Sequence, residues 1–424
     1  SNNGLSGDVD AGALPASVAG LTGLRWLAAS HNALQGTLPP MLGLLNPLEH
    51  LDLSFNSIQG SLPSSLGLTT TITTIRLSYN SLTGPLPTTA TGLSRLRIAD
   101  LSSNALSGPL PTAVGGWTAL EELSLQYNSL TGAVPSEIGR WGALTHWSHQ
   151  LNLHTALPTE LGGLTSAVNL YLHTMPIASS MPTEIGSLSA LEILDLFATH
   201  MAGPVPTEFG RLAAGRDLRV FSGSMTGSLP TELSGLTSCV TLRLDGHSLT
   251  GALPSQLGAL STSLAYLNLG HNSLQGTLPS EASGLAVLRA LELRNNSLSG
   301  ALATLAGALP PSLRTLTVDT NSLTGTLPTF SNVPLLRRCL MHDNQLEGTL
   351  PSELGNLVQL VALTVDRNSL TGHVPEGLAT APLTKVCNLT EPTAATKTNR
   401  FVDPIPSAVL AKCTVVPEAP VIIA

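Results

Sequence analysis

The 424-residue sequence predicts a solenoid of about sixteen rungs, a right-handed superhelix. Each rung gives one strand to a parallel β-sheet on the concave face and a 3-10 or turn segment to the convex face. Three observations carry this. One sixteen-residue pattern recurs along most of the chain. An Asn returns inside it at intervals that are mostly 24 residues. The 39 Gly and 30 Pro, which without periodicity would suggest disorder, sit mostly at fixed offsets within the pattern and act as turn residues.

The pattern is clearest from Leu120 to Pro135, LEELSLQYNSLTGAVP. Leu123 and Leu125 alternate with polar residues, as in a half-buried strand. Asn128 follows where the strand turns, and its amide can bond backbone groups that lack a ladder partner. Leu130 points back inside. Gly132 permits a tight bend, and Pro135 lies where the extended chain needs no N–H. The Asn recurs as Asn32, Asn56, Asn80, Asn104, Asn128 and Asn152, and again as Asn272, Asn296, Asn321, Asn344 and Asn368.

With L-x-x-L-x-L-x-x-N-x-L-x-G-x-[LV]-P in hand, the chain resembles leucine-rich repeat proteins over about nine-tenths of its length. The G-x-[LV]-P ending resembles the plant-type subclass, which includes plant receptor-kinase ectodomains, polygalacturonase inhibitors and protozoan surface antigens. The resemblance implies a leucine-rich repeat solenoid with a strongly twisted, shallow concave face. At ~4.8 Å per rung the sheet would run on the order of 75 Å.

In chain order, residues 1–7 read as the second half of a repeat, so the chain as given is expected to start mid-repeat with a segment before it. The first full rung runs from Leu24 to Gly36. Spacing is strict through Asn128. The rung of Asn152 breaks rank, with Trp147, His149 and His154 in inward sites. The Asn position then holds Met175, Thr199, Gly223 and His247 before the ladder resumes. We place the solenoid at 1–380. After Pro375 the leucine periodicity decays, and 381–424 read as a C-terminal cap and tail covering the open apolar end.

Composition bounds the rest. Aromatics are 3% and charged residues 11%, so the core is aliphatic. A net charge of −8 argues against nucleic acid. No run of eighteen apolar residues exists, so no membrane-spanning segment is expected. Cys239 and Cys339 fall on Leu sites four rungs apart, too far for one disulfide, and read as buried thiols. Cys387 and Cys413 lie together near the end. The family resemblance implies a cap disulfide between them, worth roughly 3 kcal/mol, and with it secretion. N-x-[ST] occurs at Asn295 and Asn388, glycosylation acceptors in a secreted chain.

No nucleophile elbow, zinc-binding H-E-x-x-H, phosphate loop or C-x-x-C is present, so neither a catalytic set nor a cofactor or metal is expected. His146 and His149 are three apart on a strand and point to opposite faces, a poor ligand pair. His149 reads as a core residue with bonded ring nitrogens, or as the mark of a local distortion. The informative feature is the concave surface. Two residues before each Asn site the column reads Ser30, Ser54, Ser78, Ser102, then Gln126, Gln150, His173, Phe197, Phe221 and Asp245. Four before, it holds Asp52, Arg76 and Asp100, then Tyr171, Asp195, Arg219 and Arg243.

Adjacent rungs set these residues about 5 Å apart. Tyr171, His173, Phe197 and Phe221 are therefore expected to form one aromatic patch flanked by Asp195, Arg219 and Arg243, the candidate ligand-binding residues. Asp52–Arg76–Asp100 and Asp195–Arg219 read as cross-strand ion pairs. Two readings of the aromatics stay open: a binding site, or ring stacking that steadies an irregular block. The function that follows is a secreted or cell-surface, non-enzymatic module binding a protein, peptide or glycan. The alternative is a structural subunit of an extracellular coat, wall or filament built by contacts with copies of itself or other surface proteins.

Overall fold

The computed structural model describes residues 14, 18, 20–45, 47–305, 309–383, 386–389, 399–401 and 407–411. The reading of residues 1–7 and the half-cystine assigned to Cys413 lie outside them. The chain divides into two compact units, residues 1–224 and 225–424.

In the first unit, nine three-residue strands from Trp26–Ala28 to Asp217–Arg219 lie in parallel, each paired with the next in unbroken register. The central residue of each strand points inward. Leu51, Ile75, Ala99, Leu123, Trp147, Leu170, Leu194 and Leu218 thus stack along the core, all at most 4% exposed. In the second unit six strands from Thr241–Arg243 to Ala362–Thr364 do the same through Leu242, Leu267, Leu291, Leu316, Cys339 and Leu363, and a seventh, Val386–Asn388, pairs with the last of them. Each buried Leu contributes roughly 1.5–3 kcal/mol, so many small equivalent sites share the stability that a globular core concentrates.

The Asn ladder works as its position suggests. Asn128 Oδ1 accepts from the Leu106 N–H at 3.0 Å, and its Nδ2 donates to the Leu101 and Leu125 carbonyls at 3.1 and 3.0 Å. One amide therefore satisfies a turn that no sheet hydrogen bond reaches. Just before it sits a left-handed residue at each corner, such as Tyr127 at φ 58°. Where the Asn is missing, other side chains stand in. Thr199 Oγ1 donates to the Leu196 carbonyl at 3.0 Å, and His247 Nδ1 accepts from the Met225 N–H at 3.4 Å.

Three features go beyond the sequence reading. A second parallel ladder follows the corner, joining Gln59–Gly60, Ser81–Gly84, Ala105–Pro109, Ser129–Gly132 and Leu153–His154 in the first unit. It was hidden because the exposed face carries Ser and Thr where a strand would be recognised by branched apolar residues. Secondly, the ladder does not end where the leucines thin out. Val386–Asn388 pairs with Ala362–Thr364, and Asn399 accepts from Leu370 N–H at 3.0 Å while donating to the Val365 and Leu389 carbonyls. Asn399 escaped notice because its spacing from Asn368 is 31 residues.

Thirdly, His149 is fully buried, as expected of an inward site, but both its ring nitrogens lack a hydrogen-bond partner among the described residues, which corrects the expectation that they are bonded. It is packed between the rings of Trp147, 5.4 Å away, and His154, 4.7 Å away, which fill the space where a polar partner would sit.

On the convex side, 3-10 turns such as Thr183–Ser187 follow Pro and repeat the T-E-x-G signature. Gly186 sits against the next turn, where an added Cβ would lie 2.5 Å from the Glu208 carbonyl oxygen. Gly186→Ala is expected to lose about 1–3 kcal/mol through overpacking against backbone that cannot move aside. Gly142→Ala, whose Cβ would meet nothing closer than 4.0 Å, serves as the matched control in urea titrations. Equal midpoints for the two variants would refute the packing argument.

Candidate concave binding surface

The residues two before the ladder position form a column because each follows its inner strand at the same offset. In the first unit it runs Gln126, Gln150, His173, Phe197, Phe221. The rings of His173 and Phe197 stack with centroids 4.5 Å apart and planes 22° off parallel, and Phe197 and Phe221 at 5.1 Å and 14°. All three are half-buried. Both faces of Phe197 and the inner faces of His173 and Phe221 are taken up within the stack, so between its ends it offers ring edges to its surroundings. At its other end the side-chain oxygens of Gln126 and Gln150 are buried and have no hydrogen-bond partner among the described residues.

Beside the stack, Tyr171 is in register with Asp195, and Asp195 with Arg219. Asp195 is only 7% exposed, and its Oδ1 accepts from the Phe197 N–H at 3.3 Å. Burial raises its carboxyl above the usual range, against the pull of that N–H, His173 and Arg219. Burial likewise lowers the His173 imidazole, with Asp195 acting in the other direction. The structure thus gathers Tyr171, His173, Asp195, Phe197 and Phe221 on one surface.

Arg219 is also there, but not in the expected pairing. Its guanidinium forks onto Asp217 of its own strand at 2.9 and 2.8 Å. A partner two residues along the same face is reached without crossing the ladder. Likewise Asp52 and Asp100 stand in register with Arg76, yet each accepts a 2.6 Å hydrogen bond from the Ser two residues on. Arg243 belongs to the second unit, where it forks onto Asp245 at 3.0 Å.

A second aromatic column was missed. It occupies the left-handed corner immediately before the Asn. His31, Phe55 and Tyr79 stack at 4.1 and 4.4 Å with planes 10° apart, and Tyr127 lies further along the same column. Trp26 stacks on His50 at 3.6 Å and is 63% exposed. The signal was in the sequence as H-N, F-N, Y-N and Y-N, one position from the column of Ser and Gln residues.

Cys239 and Cys339 are buried free thiols, and burial pushes the Cys339 thiol far up. Cys387 lies in the last inner strand, in register with Leu363. Asn295 is exposed at a left-handed corner, and Asn388 is half-buried in the last inner strand. Among the described residues no group of three His, Cys, Asp or Glu is arranged to hold a metal ion, and no helix is long and apolar enough to cross a membrane.

A family model described as Leucine Rich Repeat matches residues 47–68, 119–141 and 263–285. Among solved structures the chain is similar to the plant peptide hormone receptor RGFR1 in complex with RGF2, with 27% identity and a TM-score of 0.83, covering 97% of this chain and 72% of that one. It is similar to the Arabidopsis receptor kinase HAESA in complex with the peptide hormone IDA and the co-receptor SERK1, at 26% identity and a TM-score of 0.69, over 92% and 68%. A Leptospira interrogans LRR protein, LIC12759, is 28% identical with a TM-score of 0.65, over 87% and 88%. No curated protein matches the chain by sequence.

Proposed function

Because this chain is a leucine-rich repeat solenoid with plant-type rungs, we propose that it is a non-enzymatic binding module whose concave column Gln126, Gln150, His173, Phe197 and Phe221 holds an extended peptide. The observation that carries this is the pairing of two kinds of group along one column. Gln126 and Gln150 hold amide oxygens that are buried and without donors among the described residues, so a turn of either side chain toward the groove would offer an acceptor to a peptide backbone N–H. In the stack next to them, the phenyl rings of Phe197 and Phe221 present apolar edges for its side chains. Two of the similar structures are complexes with peptide hormones, which supports the ligand class. A secreted or cell-surface location goes with this reading, as do a Cys387–Cys413 disulfide and glycans at Asn295 and Asn388.

Panning a random dodecapeptide display library against the whole chain tests the proposal. Peptides recovered should lose at least about tenfold in affinity on Phe197→Ala with Phe221→Ala, since central aromatic anchors typically carry about 2 kcal/mol or more. Phe55→Ala with Tyr79→Ala, on the corner column, should leave them unchanged. Undiminished binding in the first pair would exclude this surface.

A further inference from the structure

In the second unit, charge takes the place of aromatic rings on the concave side. Thr317, Leu340 and Thr364 stand side by side in register. Two residues further along the same strands, Asp319, His342 and Asp366 form the adjacent column, about 5 Å from rung to rung. His342 Nε2 lies 3.7 Å from Asp319 and 3.8 Å from Asp343, and its Nδ1 is 2.8 Å from the Thr364 hydroxyl. Of the neighbouring guanidinium groups, Arg367 pairs with Asp343 at 3.2 Å while its charge also acts on Asp366, and Arg294 bonds His271 at 2.8 Å.

A separate observation singles out this strip. Thr317 is 5% exposed, and its hydroxyl has no hydrogen-bond partner among the described residues. The same holds for Oδ1 of Asp366, 7% exposed. Buried oxygen acceptors are ordinarily paired, so acceptors left over on a binding face mark where a donor-rich group fits.

We propose that the strip formed by Thr317, Asp319, His342 and Asp366 is a subsite for a cationic side chain, a guanidinium or alkylammonium carried by the ligand. Asp319 and Asp366 stand two rungs, about 10 Å, apart, so a planar group with several N–H donors would fork onto one carboxylate and turn its remaining donors to the nearest oxygens of the strip. A metal ion would require the oxygens to converge within about 2.3–2.6 Å of one point, which side chains on rungs this far apart do not favour. Burial raises the Asp366 carboxyl above its usual range while His342 opposes it, so a bound cation would favour the ionised form.

The subsite rests on the reading of the chain as a binding module, lies wholly within the second unit, and its test needs no peptide. Butylguanidinium, butylammonium and neutral butanol are titrated against the whole chain, followed by NMR of the histidine ring protons. Saturable binding of a cation, absent for butanol, is expected. It should weaken at least about tenfold on Asp366→Asn, as losing a charge-assisted hydrogen bond implies. Thr317→Val, which removes an unpartnered hydroxyl and keeps its shape, should weaken binding without lowering the urea midpoint. Glu347→Gln, an exposed carboxylate in the strand Gln345–Thr349, should change nothing.

Absence of saturable cation binding would overturn the subsite, as would equal binding by the Asp366→Asn chain or saturation by calcium alone. The outcome is independent of Phe197 and Phe221, so this subsite and the peptide-binding column fail separately.

Discussion

Acidification from pH 6.5 to 5.5 is expected to cost the first unit up to about 2 kcal/mol of stability, because two buried histidines resist protonation there. His149 is fully buried, with neither ring nitrogen bonded among the described residues, and burial together with the neighbouring His154 holds its imidazole well below 6.5. His154 is lowered too, chiefly by burial. Its Nδ1 lies 3.0 Å from the Gly132 carbonyl, which partly opposes the shift and fixes the proton on that nitrogen. The sign follows from proton counting. Below about 6.5 the unfolded chain takes up protons that the folded one refuses, so stability is complete above that pH and falls as pH drops. Each such histidine contributes up to about 1.4 kcal/mol per pH unit.

All four Trp lie in the first unit, and Trp147 packs 5.4 Å from His149, so tryptophan fluorescence reports the unit concerned. Urea midpoints should converge toward pH-independence in His149→Leu with His154→Leu. His173 is also lowered and remains in the variant, leaving a smaller slope. The raised carboxyl of Asp195, in the same unit, acts with opposite sign, and only nearer the carboxylate range. Parallel pH curves for the parent and the double variant would show that these two rings are not responsible.

What could be read from the sequence divides along physical lines. The inward positions were legible because burial selects residue type: Leu123, Trp147 and Leu170 occupy equivalent core sites despite a 23-residue interval between the last two. The columns were legible because register in a parallel ladder follows from repeat length alone, which brought His173, Phe197 and Phe221 into one stack. Side-chain partners were not. Whether Arg219 turns across the ladder or along its own strand depends on rotamers of long side chains, and spacing says nothing of them. The corner column of His31, Phe55 and Tyr79 was missed for another reason. The left-handed corner leaves these three side chains exposed, so no constraint on burial marks them. The hydrogen bonds of His149 were misjudged because a core imidazole usually finds a partner, and here its neighbours are rings.

Replacing Asn344 by Ala should destabilise the second unit by about 3–5 kcal/mol, because one deletion orphans several buried backbone groups at once. Asn344 is 0% exposed. Its Oδ1 accepts from the Leu323 N–H at 3.0 Å, and its Nδ2 donates to the carbonyls of Val318 at 3.0 Å and of Met341 and His342 at 3.1 Å. Alanine supplies neither the acceptor nor the donors, and the rung spacing leaves the Leu323 N–H with no neighbour to turn to. The substitution Asn344→Asp would keep the acceptor for Leu323 while setting a carboxylate against three carbonyls, so it should fare no better. The natural interruptions set the scale for rescue. Thr199 reaches the Leu196 carbonyl and His247 the Met225 N–H, each covering part of what the Asn amide covers, so Asn344→Thr should recover part of the loss by the Thr199 route. Circular dichroism in urea, read against the tryptophan signal of the first unit, separates the two units. A loss under about 1 kcal/mol for Asn344→Ala would mean that water or a shifted backbone satisfies these groups, and that the Asn periodicity reports the left-handed corner rather than the hydrogen bonds it makes.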